Sequence, residues 1–160
     1  MAEKDFQDID ERTPVILVVD DNQQNLELLQ AYLEDMDCDT VPAKDGPVAL
    51  DIISNDPPEL ILLDVMMPKM SGFEVCRRIK NDPATTNIPV IMVTALNELG
   101  DIERGIDAGS DDFVSKPVNK LELLTRVRTM LRLKHLSDKL ERTLAYLSEV
   151  EKQAHTPTDK

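Results

Sequence analysis

Five short, mostly apolar segments, each separated from the next by a stretch of helical periodicity, constrain this chain more than any other feature. They are Val15–Val19, Asp39–Val41 with its neighbours, Leu60–Leu63, Pro89–Val93 and Phe113–Ser115. Each is too short for a globular helix, and most are rich in Val, Ile or Leu, as strands buried on both faces are. Between them lie amphipathic stretches. Leu26, Leu29 and Leu33 follow Asp21-Asn22, which can cap a helix. Val48, Leu50, Ile52 and Ile53 form a second stretch, Phe73, Val75, Cys76 and Ile79 a third, and Ile102 with Ile106 a weaker fourth. The fifth is the strongest, through Leu121, Leu123, Leu124, Val127, Met130 and Leu131. Such alternation predicts parallel strands joined by right-handed crossovers, hence a three-layer α/β sandwich.

Charge narrows the function classes. The 160 residues carry a formal net charge of −13, which excludes attraction to nucleic acid or anionic lipid as the main activity. A hydrophobic fraction of 41% is enough for a packed core. No apolar run approaches the roughly 18 residues that span a bilayer. The opening MAEKDFQDIDER lacks the order of a signal peptide. Cys38 and Cys76 match no zinc or redox spacing and read as core residues of a reduced compartment. The expectation is a soluble, cytoplasmic protein. From Lys134 to Lys160 five basic residues balance five acidic ones, so residues 1–133 carry the whole excess.

In open parallel sheets, chemistry gathers at the carboxyl ends of the strands. The residues after the first run are Asp20-Asp21, after the third Asp64, after the fourth Thr94-Ala95, and after the fifth Lys116-Pro117. Three carboxylates on one edge repel one another unless a cation joins them. An oxygen-only set without His or Cys suits Mg²⁺. Lys116 adds a second positive charge. A carboxylate between a divalent cation and an ammonium is poised to accept a phosphoryl group, because both neutralise charge on the transferring oxygens.

These residues sit in segments that resemble the receiver domain of bacterial response regulators. The segments are Val18-Val19-Asp20-Asp21-Asn22, Leu60 through Asp64-Val65-Met66-Met67-Pro68-Lys69-Met70-Ser71-Gly72, Val93-Thr94-Ala95, and Ala108-Gly109-Ser110-Asp111-Asp112-Phe113-Val114-Ser115-Lys116-Pro117. The resemblance spans residues 14–133 and implies a flavodoxin-like, doubly wound five-stranded parallel sheet of order 2-1-3-4-5, here followed by an extended C-terminal helix. It implies Asp64 as phosphoacceptor. By the same resemblance Asp21 would bind Mg²⁺ directly, Asp20 mainly through water, and Met66 through its backbone carbonyl. Lys116 would pair with Asp64 and then with the phosphoryl oxygens. Thr94 would reach the transferred group, and Phe113 would swing inward behind it. Pro117 resembles the family's cis-proline. The implied phosphoryl donor is a sensor histidine kinase or histidine phosphotransfer protein.

In receivers the positions two after the phosphoacceptor and two after the switch threonine flank the approach of hydrolytic water. Here they are Met66 and Leu96, neither of which orients water, so slow self-dephosphorylation is expected. The fourth helix and following strand are acidic (Glu98, Asp101, Glu103, Asp107, Asp111, Asp112) and the fifth helix basic (Lys120, Arg126, Arg128, Arg132, Lys134). In an isologous dimer such strips pair across the axis. The segment resembles receivers of winged-helix regulators, which dimerise through this face, so a phosphorylation-favoured homodimer is expected.

Residues 1–13 read as a flexible N-terminal segment and residues 134–160 as a helical tail with a frayed end. Leu133, Leu136, Leu140, Thr143, Leu147 and Val150 follow heptad spacing, so the tail reads as a short coiled coil, as a stripe packed back on the receiver, or as a linker to an output domain. The expected function is a phosphoacceptor signalling module rather than an enzyme, with output by protein contact. Two alternatives stand beside it: a pseudo-receiver adaptor without phosphotransfer, and the regulatory fragment of a longer protein. A hydrolase of the haloacid dehalogenase type also phosphorylates an aspartate, but needs a second acid where Met66 stands.

Overall fold

The computed structural model describes residues 12–95 and 99–154. Ten elements alternate along the chain: β1 Val15–Val19, α1 Gln23–Leu33, β2 Asp39–Ala43, α2 Gly46–Asn55, β3 Leu60–Asp64, α3 Gly72–Asn81, β4 Val90–Thr94, α4 Leu99–Asp107, β5 Asp112–Ser115 and α5 Lys120–Ala154. All strand pairs are parallel, and the sheet order is β2-β1-β3-β4-β5. The doubly wound order implied by the resemblance is the order found.

The period of two along each strand divides the interior into two layers. Leu17, Val19, Ile61, Leu63, Val90 and Met92 pack beneath α2 and α3 with Ala49, Ile53, Phe73, Val75, Cys76 and Ile79. Ile16, Val18, Leu60, Leu62, Ile91, Val93 and Val114 face α1 and α5, meeting Leu26, Leu29, Leu33, Leu123, Leu124 and Val127. Both cysteines are free thiols; Cys76 is buried and Cys38 partly so.

Several expected boundaries shift for identifiable reasons. The fourth strand begins at Val90 rather than Pro89, because proline has no N–H for the ladder; its carbonyl still accepts from Ile61 N at 3.0 Å. The second strand continues to Ala43 and includes Pro42, tolerated because β2 lies at the sheet's edge. In α2 the buried seam is Gly46, Ala49 and Ile53, while Val48 faces solvent. In α4 both Ile102 and Ile106 are exposed and Gly105 takes the buried position. No helix among the described residues is long and apolar enough to cross a membrane.

Candidate functional site

Strand register builds the site. Val19 lies opposite Leu63 and Asp64 opposite Val93, so the residues ending β1, β3 and β4 leave the sheet side by side. Thr94 pairs with Ser115, which delivers Lys116 one residue beyond. Asp20, Asp64 and Lys116 continue the alternation of Val18, Leu62 and Val114, the side of α1 and α5. Thr94 and Phe113 continue the opposite side.

Local chemistry holds each group. Asp20 is buried and accepts the Asn22 N–H at 2.9 Å, while the Asn22 side chain caps α1 by accepting from Gln24 N and Asn25 N. The Asp64 side chain is 5% exposed and accepts weakly from Met66 N at 3.4 Å. The loop after Asp64 turns back sharply: Gly72 N donates to Val65 O at 2.9 Å, and a Cβ on Gly72 would sit 2.2 Å from the Asp64 carbonyl oxygen. Only glycine permits that approach. The Lys116–Pro117 peptide bond is cis, as the resemblance implies.

Lys116 Nζ lies 3.2 Å from Asp20 Oδ2 and 3.3 Å from Asp64 Oδ1. Sequence reasoning paired the lysine with Asp64; the bridge to Asp20, 96 residues away, had no signal in the sequence. Burial pushes the Asp64 carboxyl above its ordinary range, the Asp20 charge adds to it, and Lys116 offsets part. Burial alone lowers the Lys116 ammonium, but the charges of Asp64 and Asp20 outweigh it, and the net shift is upward.

Asp21 completes the group. Asp20, Asp21 and Asp64 each offer a carboxylate oxygen within 4.8 Å of the others, with Asp21 exposed at the mouth. This set of hard oxygen donors on one open side fits Mg²⁺.

The remaining predicted residues surround this centre. Thr94 is buried at the end of β4. Met66 is 64% exposed on the loop beside Asp64. Leu96 and Glu98 lie outside the described residues. Phe113 is half-buried against the α2–α3 layer, and a Cβ on Gly105 of α4 would lie 2.4 Å from its ring, a contact that sequence reasoning missed. Arg104 stacks over Phe73 at 4.5 Å from the ring centroid.

Part of the charged face from α4 to α5 is paired within the chain. Arg126 Nη1 binds both oxygens of Asp112 at 2.9 and 3.0 Å. Its Nε reaches Glu122 at 3.2 Å. Asp111 pairs with Lys80 of α3 at 2.9 Å and accepts from Val90 N at 2.7 Å.

Residues 16–128 match the family described as "Response regulator receiver domain". The chain is similar to Response regulator PleD of Caulobacter vibrioides, 47% identical over 125 residues, which are 78% of this chain and 28% of that protein. It is also similar to the DNA-binding dual master transcriptional regulator RpaA of Synechocystis, 41% identical over 119 residues, 74% of this chain and 49% of that protein. The chain thus spans half or less of the length of these relatives. Among solved structures, the signal receiver domain of a histidine kinase from Syntrophus aciditrophicus matches with a TM-score of 0.71 and 35% identity over 75% of this chain and 91% of that one. The receiver domain of a Francisella response regulator matches with a TM-score of 0.70 and 31% identity, covering 75% and 98%.

Proposed function

The chain belongs to the response regulator receiver domain family, and from that premise we propose that it accepts a phosphoryl group on Asp64 in a Mg²⁺-dependent reaction. The observation that supports this best is the Lys116 ammonium held between two buried carboxylates, with the third carboxylate of Asp21 open to solvent beside them. Asp20, Asp21 and Asp64, with the Met66 carbonyl that the family resemblance implies, would hold the cation, which when bound neutralises charge on the phosphoryl oxygens. An Asp64 carboxylate oxygen attacks phosphorus in line, the P–N bond of a donor phosphohistidine breaks, and the imidazole leaves with the bonding pair. Lys116 orients Asp64 before transfer and then meets a phosphoryl oxygen. Thr94 takes another oxygen, and Phe113 follows it inward.

The donor is a sensor histidine kinase or histidine phosphotransfer protein of the cytoplasm. A pocket of about 190 Å³ lined by Leu28, Tyr32, Lys116, Pro117 and Val118 borders Asp20 and offers such a partner an apolar foothold. Output passes by protein contact through the α4–β5–α5 face, and the chain itself is a signalling module rather than an enzyme. Incubation with acetyl phosphate and Mg²⁺, read by intact mass, tests the reading. One added phosphate on the wild type, absent from Asp64→Ala and after chelation, is the expected result. No adduct on the wild type favours a pseudo-receiver.

A further inference from the structure

Helix α5 changes sides. Over its first turns it buries Leu123, Leu124 and Val127 against the sheet. From Leu133 onward Leu133, Leu136, Leu140, Leu144, Leu147 and Val150 form a second stripe, each between 43% and 58% exposed, with Tyr146 off to one side at 69%. At about 100° per residue, the centre of this second stripe lies about 160° around the axis from the first. The tail stripe therefore points away from its own receiver. Where the helix passes the receiver's lower edge, beside Pro14 and Glu59, the side turned inward carries Lys134, His135 and Asp138. Packing back on the receiver, one of the expected alternatives, is incompatible with this rotation of an unbroken helix.

From Leu133 to Ala154 the helix runs about 33 Å, and over its final stretch of about 21 Å, from Glu141 to Ala154, every residue is exposed. A one-sided apolar helix of that length gains most of its stability from whatever covers it. We propose that the cover is the same stripe of a second copy, forming a parallel two-stranded coiled coil that exists without phosphorylation.

Three features select that occupant. The stripe spans heptad spacing, interrupted on one side by Thr143, so it is complementary to itself across a two-fold axis. Lys134 to Lys160 is electrically neutral, so the tail escapes the repulsion between two acidic bodies. The same azimuth continues toward the N-terminus onto the receiver through Thr129, Thr125 and Glu122, lining a groove with Asp112 and Leu121. A parallel arrangement covers this continuous surface; an antiparallel one leaves the groove open.

The inference goes beyond the phosphoacceptor reading and stands separately from it. Its test is molar mass by light scattering on the full chain, without phosphodonor, at low salt and at 1 M NaCl. The expected mass is twice 18.0 kDa in both conditions and in Asp64→Ala, because an apolar seam is not screened by salt. Leu140→Glu/Leu147→Glu is expected to weaken association at least about 100-fold while leaving the receiver's melting transition and phosphate uptake unchanged. Val150→Cys in a Cys38→Ser background is expected to oxidise to a symmetric disulfide. A wild-type monomer at tens of micromolar, a dimer lost in salt, or a dimer surviving the double substitution overturns the proposal. Failure of the symmetric disulfide in a confirmed dimer overturns the parallel arrangement. Failure of phosphate uptake in every variant counts against the phosphoacceptor reading alone.

Discussion

Lys116 Nζ and Asp64 Oδ1 lie 3.3 Å apart, brought together across 52 residues by the carboxyl edges of β3 and β5. The same ammonium also serves Asp20 at 3.2 Å, so one cation restrains two buried carboxylates. Without a divalent ion the edge is left with an excess of negative charge. A bound divalent cation would relieve that imbalance, which has measurable consequences.

Asp64→Asn is expected to stabilise the metal-free protein by about 1–2 kcal/mol at neutral pH, and Lys116→Ala to destabilise it by a similar or larger amount. The pH dependence follows from the raised Asp64 carboxyl. A group with a raised folded value favours the native state below its unfolded value of 3.8 and loses that contribution as pH rises through the folded one. The gain of Asp64→Asn should therefore be small below pH 3.8 and grow above it. Urea titrations in EDTA across pH check this. Mg²⁺ at about 100 times its Kd should restore about 2.7 kcal/mol to the wild type and markedly less to Asp64→Asn.

A polar side chain at position 66 should shorten the signal. Met66 is exposed beside Asp64, the proposed phosphoacceptor, and its side chain offers no group to align water. Wild-type phosphoprotein is expected to persist for many minutes in Mg²⁺, and Met66→Asn to hydrolyse about tenfold faster, equivalent to about 1.4 kcal/mol of barrier. Phosphate release after removal of the donor measures both. A wild-type half-life of seconds would refute the expectation.

Phe113 and Gly105 should be energetically coupled. A methyl group at Gly105 would occupy the space of the ring, so Gly105→Ala is expected to cost about 1–3 kcal/mol. In a Phe113→Ala background the same substitution should cost at least about 1 kcal/mol less. A double-mutant cycle on denaturation free energies decides it; additivity would mean that the ring does not hold this position.

The two thiols should separate by reactivity. Cys76 is fully buried and its thiol is pushed up to about 11 by burial, with charged neighbours contributing less. Cys38 is partly exposed and raised, by burial first and then by Asp39 and Asp37. A disulfide reagent at pH 8 should modify Cys38 slowly and Cys76 only on unfolding. For Cys76 the neutral form favours the folded state fully below 9.0, and that contribution is lost as pH rises through about 11. A Cys76→Ala variant should show a weaker alkaline decline.

Much of the site was legible because the fold class was. Once β1, β3, β4 and β5 are recognised from their apolar runs, the residues that end or follow them must share one edge, and Asp20, Asp21, Asp64, Thr94 and Lys116 are those residues. Helix faces were less legible. Val48 and Ile106 are apolar yet exposed, and Gly46 and Gly105 are buried, because close packing against a neighbouring layer selects for size as well as hydropathy.

By itself the sequence determined the element types, their alternation and the chemical inventory of the sheet edge, since strand and helix periods and strand-end identities are local properties. Tertiary structure alone decided that Lys116 bridges Asp20 as well as Asp64, that Gly105 makes room for Phe113, and that Arg126 spends its charge on Asp112 within the chain. It also decided that α5 runs unbroken to Ala154 with nothing of the receiver covering residues 141–154. Those outcomes depend on register, azimuth and distance between segments far apart in sequence, which no local pattern encodes.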